Sequence, residues 1–178
     1  MAASAAVLEK ALSVMKLTVT IGVCGPVGVA DRNIIPDSRM TASTYHHSWY
    51  YPYFGRLHES RKHGAWCPKT KSDRTDYLQV DKGKVYSVCA VATQGGRRSI
   101  TERITSYKLQ LSIDGIAWEF YKENSVQKVF AGNTDRNSIV KHFLSPNVKA
   151  RFVRFYPVTL PSFLASGLKY LCQSKALV

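Results

Sequence analysis

The sequence predicts an all-β fold, a sandwich or jelly roll, on three observations. Residues 106–113 alternate: Tyr107, Leu109, Leu111 and Ile113 fall on one face, Ser106, Lys108, Gln110 and Ser112 on the other. Residues 85–93, "VYSVCAVAT", are an almost continuous run of β-formers, as a central strand requires. Further short strands recur from residue 77 onward, separated by polar turns.

Taken in order, the N-terminal 22 residues stand apart as a leader or poorly ordered arm. Glu9, Lys10 and Lys16 interrupt the apolar stretch a signal peptide needs, while Leu8, Leu12 and Met15 sit at helical spacing. The domain is expected over 23–174, with 175–178 as a tail. "NIIPDSRMTAS" reads as one short extended piece, and some thirty residues of weak periodicity follow it. Loops that long in a compact domain are usually functional. "YLQVD" turns Leu78 and Val80 to one side. After residue 113, Asp114-Gly115 supplies the left-handed backbone of a hairpin turn, and Trp118 and Phe120 lie on the return strand. "KVFAG", "SIVKHFL" and "RFVRFYPV" complete the set, with "GNTDRN" and "SPNVK" as turns between them.

The balance of 25 Lys and Arg against 12 Asp and Glu, +13 formally, speaks of anionic partners. The basic residues are scattered, without the solid block of a nucleic-acid arm. There is no GxSxG, P-loop, GxGxxG or HExxH motif, and the acidic residues are few and dispersed. General acid/base work needs two groups within a few ångströms, so no catalytic residues are assigned and no enzyme is expected. His46-His47 is the best metal candidate, but neighbouring side chains on an extended loop point apart. No metal site and no cofactor are therefore expected, and nothing indicates calcium. The four cysteines form no CxxC pair and allow three disulfide pairings.

The stretch "STYHHSWYYPYFGRL", residues 43–57, holds six aromatic rings at neither strand nor helix spacing. Phe54 is expected to fold back and brace the loop, and Trp66 to belong to the core. Arg151 and Arg154, on a strand, are expected to partner internal carboxylates such as Asp81.

"GAWCPKTKSDRTDYLQVDKGKVYSVCAVATQGG", "TSYKLQLSIDGIAWEFYKE", "KVFAGNTDRNSIVKHF" and "VKARFVRFYPV", in this order, closely resemble the discoidin domain, the type C module of coagulation factors. The likeness runs from Cys24 to about Thr159. It implies an eight-stranded jelly-roll β-sandwich whose binding loops, or spikes, cluster at one end. It also implies an extracellular, secreted or cell-surface, non-catalytic module for adhesion or surface recognition.

The aromatic stretch falls where discoidin domains carry their longest spike. Phosphatidylserine-binding members bear two neighbouring aromatics after a serine at its tip, which here are Trp49 and Tyr50 after Ser48. Tyr45 and His46 precede them in the expected contact set. The second spike brings Arg61, Lys62 and His63, and the third Arg97, Arg98 and Ile100. Rings between cations suit an anionic, partly apolar surface, either a phospholipid membrane or an acidic or sulfated glycan. The alternative is a protein–protein adhesion domain gripping a receptor or matrix protein. Collagen is disfavoured, because His46 and His63 stand where collagen-binding members carry tryptophan and an acid. Nucleic acid is not expected as a partner.

By the same resemblance Cys24 pairs with Cys172, leaving Cys89 as a buried thiol within its strand and Cys67 without an assigned partner. The chain departs from the family in two places. Lys82 replaces the leucine of the usual Val-Asp-Leu-Gly, a cation in an apolar position. The end reads "SGLKYLCQSKALV", with residues 167–172 as the candidate last strand.

Overall fold

The computed structural model describes residues 24–69, 75–97 and 103–159, with the backbone of 175–177. Its strands are β1 (Met40–Ala42), β2 (Leu78–Gln94), β3 (Ser106–Ser112), β4 (Glu119–Phe120), β5 (Lys122–Glu123), β6 (Val126–Gln127), β7 (Phe130–Ala131), β8 (Ile139–Thr159) and β9 (Lys175–Leu177). All described pairings are antiparallel. The main sheet runs β1-β2-β8-β3-β4, with β7 also on β3 and β9 also on β2. The architecture is the expected jelly-roll β-sandwich.

β2 and β8 are longer than their sequence suggests. "YLQVD" and "VYSVCAVAT" form one strand, and "SPNVK" lies within another. The two pair from Leu78↔Phe155 to Gln94↔Ile139, with register shifts between Asp81 and Tyr86 and between Val88 and Ala90. A bulge bends and twists a strand without ending it, so glycine and proline here bend a continuous ribbon. Between its arms lies the core, where Trp66, Leu78, Val80, Tyr107, Leu109, Phe130, Val153 and Phe155 are almost wholly buried. Trp66 takes the core place expected of it.

The alternation of β3 ends one residue early. Tyr107, Leu109 and Leu111 are buried, but Ile113 lies beyond the strand and is exposed. The turn is also wider than two residues, since Leu111 pairs with Glu119. Gly115 has the expected positive φ of 81°. The Asp114 carboxylate accepts the N–H groups of Ile116 and Ala117 and the Ser112 hydroxyl, and these bonds lower its pKa. Arg151 pairs with Asp81 through two 2.8 Å bonds, as expected. Among the described residues Arg154 meets no carboxylate. Its guanidinium lies between the rings of Tyr77 and Trp118, 4.0 and 3.5 Å from their centroids, and donates to Gln79.

The cysteine pairing is corrected. Cys24 is bonded to Cys89, with Cα atoms 5.8 Å apart. Cys89 occupies the second register shift of β2, where a bulge frees a side chain from the inward–outward alternation and turns its sulfur to the N-terminal segment. Cys172 and residues 167–172 lie outside the described residues, as does the leader. Residues 175–177, expected as a tail, form β9 against Ala92–Gln94.

Lys82 carries the cost its sequence position implied. It is 3% exposed, its Nζ finds no hydrogen-bond partner among the described residues, and it lies 5.1 Å from the centroid of the Tyr86 ring. Burial pushes its pKa down to about 8. A folded pKa below the unfolded value means the unfolded chain holds more protons between about pH 8 and 10.5, so stability rises with pH there. Lys82→Met is expected to stabilise the fold by about 2–3 kcal/mol at pH 7. It also abolishes a rise of roughly 2 kcal/mol between pH 7 and 9.5. Urea unfolding of both proteins at the two pH values checks this. Equal stabilities at pH 7 contradict it.

Candidate functional site

Three loops meet beside the end of β2 that carries Gln94, held by local turns and by contacts to one another and to the core. In the first, residues 48–50 form a single 3₁₀ turn. The Trp49 N–H donates to His47 Nδ1 and the Tyr50 N–H to the His47 carbonyl. The base of the loop is fastened to the core, where His46 N–H donates to the Cys67 carbonyl and Trp66 Nε1 to the Thr44 carbonyl. A second 3₁₀ turn, Pro52–Gly55, buries Phe54, which braces the loop as expected.

Adjacent aromatics on such a turn point in different directions, and this separates Trp49 from Tyr50. Trp49 is 49% exposed at the tip. Tyr50 is 1% exposed, packed on His47 and His63 with centroids 4.8 and 4.5 Å away. Its hydroxyl shares a 2.5 Å hydrogen bond with His63 Nδ1. The expected exposed pair is therefore one exposed ring above one buried ring. His46 and His47 are half-buried and stack edge to face at 4.8 Å, so they do not point apart into solvent. Tyr45 is exposed, its ring against Tyr51.

The second loop is organised by acids that the sequence reading left unassigned. Glu59 accepts the N–H groups of Ser60 and Arg61 and pairs with the Arg61 guanidinium at 2.7 Å. Arg61 also reaches Asp37 at 3.1 Å, and Asp37 pairs with the buried Arg56 at 2.9 Å. Hydrogen bonds to Glu59 raise the Arg61 pKa, so this guanidinium is a structural brace as much as a surface charge. Lys62 sits at φ 51° with its side chain exposed, and His63 is buried. The alternation of a turned-out Lys62 and a turned-in His63 follows from that left-handed residue.

His63 joins all three loops. Its ring lies 5.2 Å from Trp49 and its carbonyl accepts the Arg97 N–H. Arg97 also donates to the Ser60 carbonyl, its side chain exposed. Gly64, at φ 57°, allows this approach, since a Cβ there would lie 2.5 Å from the Glu59 carbonyl oxygen and 3.4 Å from Arg97 Cδ. The structure thus brings Trp49, Lys62 and Arg97 together around buried Tyr50 and His63. Arg98 and Ile100 lie outside the described residues. Glu59 had a readable signal, a carboxylate two residues before an arginine in a loop. Asp37 had none, being distant in sequence from Arg56 and Arg61.

The F5/8 type C domain pattern matches residues 39–166. Lactadherin of Mus musculus is 38% identical over 157 residues, 84% of this chain and 34% of the relative. Coagulation factor V of the same species is 34% identical over 155 residues, 83% of this chain and 7% of its own length. The chain thus spans about a third of the lactadherins it matches and far less of factor V. Among solved structures, discoidin II of Dictyostelium discoideum superposes with a TM-score of 0.70 at 21% identity, over 86% of this chain and 57% of that one. A Clostridium perfringens module, CpGH89CBM32-5, solved with GalNAc-β-1,3-galactose, gives 0.55 at 17% identity, over 71% of this chain and 88% of that one. At these identities the two structures speak for the fold alone.

Proposed function

Because this chain belongs to the F5/8 type C domain family, we propose that it is a non-catalytic binding module whose three loops recognise an anionic, partly apolar surface. That surface is a phospholipid membrane or an acidic glycan. The carrying observation is Trp49, a large ring half-exposed on a braced tip, with the exposed cations Lys62 and Arg97 reached through His63. Ring and cations suit a polar boundary, where the indole buries its body while its N–H stays wet and the cations meet headgroups or sulfates. A braced tip loses little conformational freedom on binding. The binding unit is taken as 23–174, and the site as Trp49, Tyr45, Lys62 and Arg97, with Arg98 and Ile100 on the same loop as Arg97. Tyr50, Arg61, His46 and His63 support it from beneath. We place the module outside the cell, where a Cys24–Cys89 disulfide persists.

Trp49→Ala is expected to weaken binding to phosphatidylserine vesicles or heparin by about 1.5–3 kcal/mol, roughly ten- to a hundredfold, with no change in thermal unfolding. Arg97→Ala costs about 1 kcal/mol and flattens the salt dependence. Sedimentation with vesicles and a heparin column, each at two salt concentrations, make the measurement. Parent-like binding by Trp49→Ala removes the ring from the site, and salt-insensitive binding favours a protein partner instead.

A further inference from the structure

Beside the three loops lies a fourth, residues 132–138, at the same end of the sandwich. It leaves β7, whose Ala131 pairs with Ser106 at the start of β3, and enters β8 at Ile139, opposite Gln94. Asn133, fully buried, holds its base. The Asn133 N–H donates to the Ile104 carbonyl, and the side-chain amide donates to the Thr93 and Ser138 carbonyls. The Asp135 carboxylate accepts the N–H groups of Asn137 and Ser138, both at 2.6 Å. Gln94 ties this loop to the second one, accepting the His58 N–H and donating to the Asn137 carbonyl. The third loop packs on it too, since a Cβ at Gly95 would collide with Arg136 Cα and the Asp135 carbonyl oxygen. Arg97 follows Gly95 by two residues, about 7 Å of chain at most. Arg136 is exposed and forms no ion pair among the described residues.

Building on the reading of the loops as a binding surface, we propose that Arg136 is a further contact residue and that the ligand is a sulfated or carboxylated glycan. The loops differ in what they offer. Trp49 supplies a half-exposed ring. Thr134 to Ser138, all exposed, supply hydroxyls, an amide, a carboxylate and a guanidinium, and no apolar side chain. Pressing that stretch into a bilayer boundary would strip water from polar groups without burying apolar area in exchange. It would also bring Asp135 against anionic headgroups. A glycan meets the same groups with hydroxyls that both donate and accept. Its sulfates or carboxylates match the planar forks of Arg97 and Arg136, and its C–H surface suits the face of the Trp49 ring. Held at its base by Asn133 and across its tip by Asp135, the fourth loop loses little conformational freedom on binding.

The test titrates a heparin octasaccharide into the full chain by calorimetry at two salt concentrations, with sedimentation on phosphatidylserine vesicles beside it. Arg136→Ala is expected to weaken heparin binding about fivefold, the upper value of one exposed ion pair. It is also expected to flatten the salt dependence and to leave thermal unfolding unchanged. Arg136→Lys, which keeps the charge but loses the fork, is expected to recover part of the loss. Lys122→Ala removes an exposed cation on β5, away from the four loops, and is expected to bind as the parent does. Parent-like heparin binding by Arg136→Ala overturns the proposal and leaves the Trp49 reading standing. An equal loss in Lys122→Ala also overturns it, since that reports diffuse charge only. A parent that sediments with the vesicles without binding the octasaccharide overturns the choice of a glycan. If Trp49→Ala binds the octasaccharide as the parent does while Arg136→Ala loses fivefold, the ring reading fails and the fourth loop stands.

Discussion

Breaking the Cys24–Cys89 bond is expected to cost about 4 kcal/mol of folding stability, from the chain entropy regained over a separation of 65 residues. The bond ties the N-terminal segment to β2 at its second register shift, where residues 24–27 line a groove together with Val88, Val91 and Lys82. Its loss therefore acts both on the unfolded chain and on the packing around Lys82. Cys24→Ser and Cys89→Ser are expected to be equally destabilised in urea unfolding, and reduction of the parent is expected to match them. Cys172→Ser is expected to leave the Cys24–Cys89 peptide intact in a non-reducing map. A map joining Cys24 to Cys172, or parent stability in Cys89→Ser, contradicts the pairing.

Asp37→Ala is expected to destabilise the domain by about 2–4 kcal/mol. Its carboxylate is the shared partner of Arg56 and Arg61, and Arg56 is only 2% exposed. Asp37 itself is partly exposed, so its removal strands one buried charge, that of Arg56, in surroundings that solvate it poorly. The remaining bond from Arg56 to the Val29 carbonyl and the Arg61–Glu59 pair soften the loss, which keeps it near the low end of that cost. Burial pushes the Asp37 pKa up, but hydrogen bonds from Arg61 and Arg56 outweigh it and hold the group below its ordinary 3.8. Glu59 behaves in the same way, through Arg61, below 4.5. For both, the folded chain binds protons more weakly than the unfolded one, so their stabilisation is complete above about pH 5 and is lost as pH falls through the folded values. The parent is expected to lose stability on acidification below about pH 4 more steeply than Asp37→Ala. An Asp37→Ala protein with parent stability and the parent's acid limb removes this ion network from the fold's supports.

The period-two pattern of β3, the β-former run of β2 and the buried Leu78 and Val80 were legible because strand patterning is local. Each residue's face follows from its neighbours' faces. The excess of basic residues and the aromatic loop were legible for a different reason. Neither fits the periodicity of a core strand or helix, although Tyr50 and Phe54 of that loop turn inward. Lys82 was visible too, as a cation in a place meant for an apolar side chain.

Only tertiary structure decided which residues the loops turn outward and what closes on what. Trp49 and Tyr50 are neighbours of similar chemistry, and their fates separate only because His63, thirteen positions beyond Tyr50, offers the tyrosine hydroxyl a partner. Arg61 and Arg97 look alike in sequence, yet one is held between Asp37 and Glu59 while the other stands exposed. Cys89 meets Cys24 because a bulge in β2 breaks the alternation that would have kept it a core thiol. Each of these depends on a contact between residues far apart in the chain, or on a one-residue slip in register. Backbone sterics and side-chain periodicity do not carry that information, whereas the closing of the β2–β8 ribbon over a single core does.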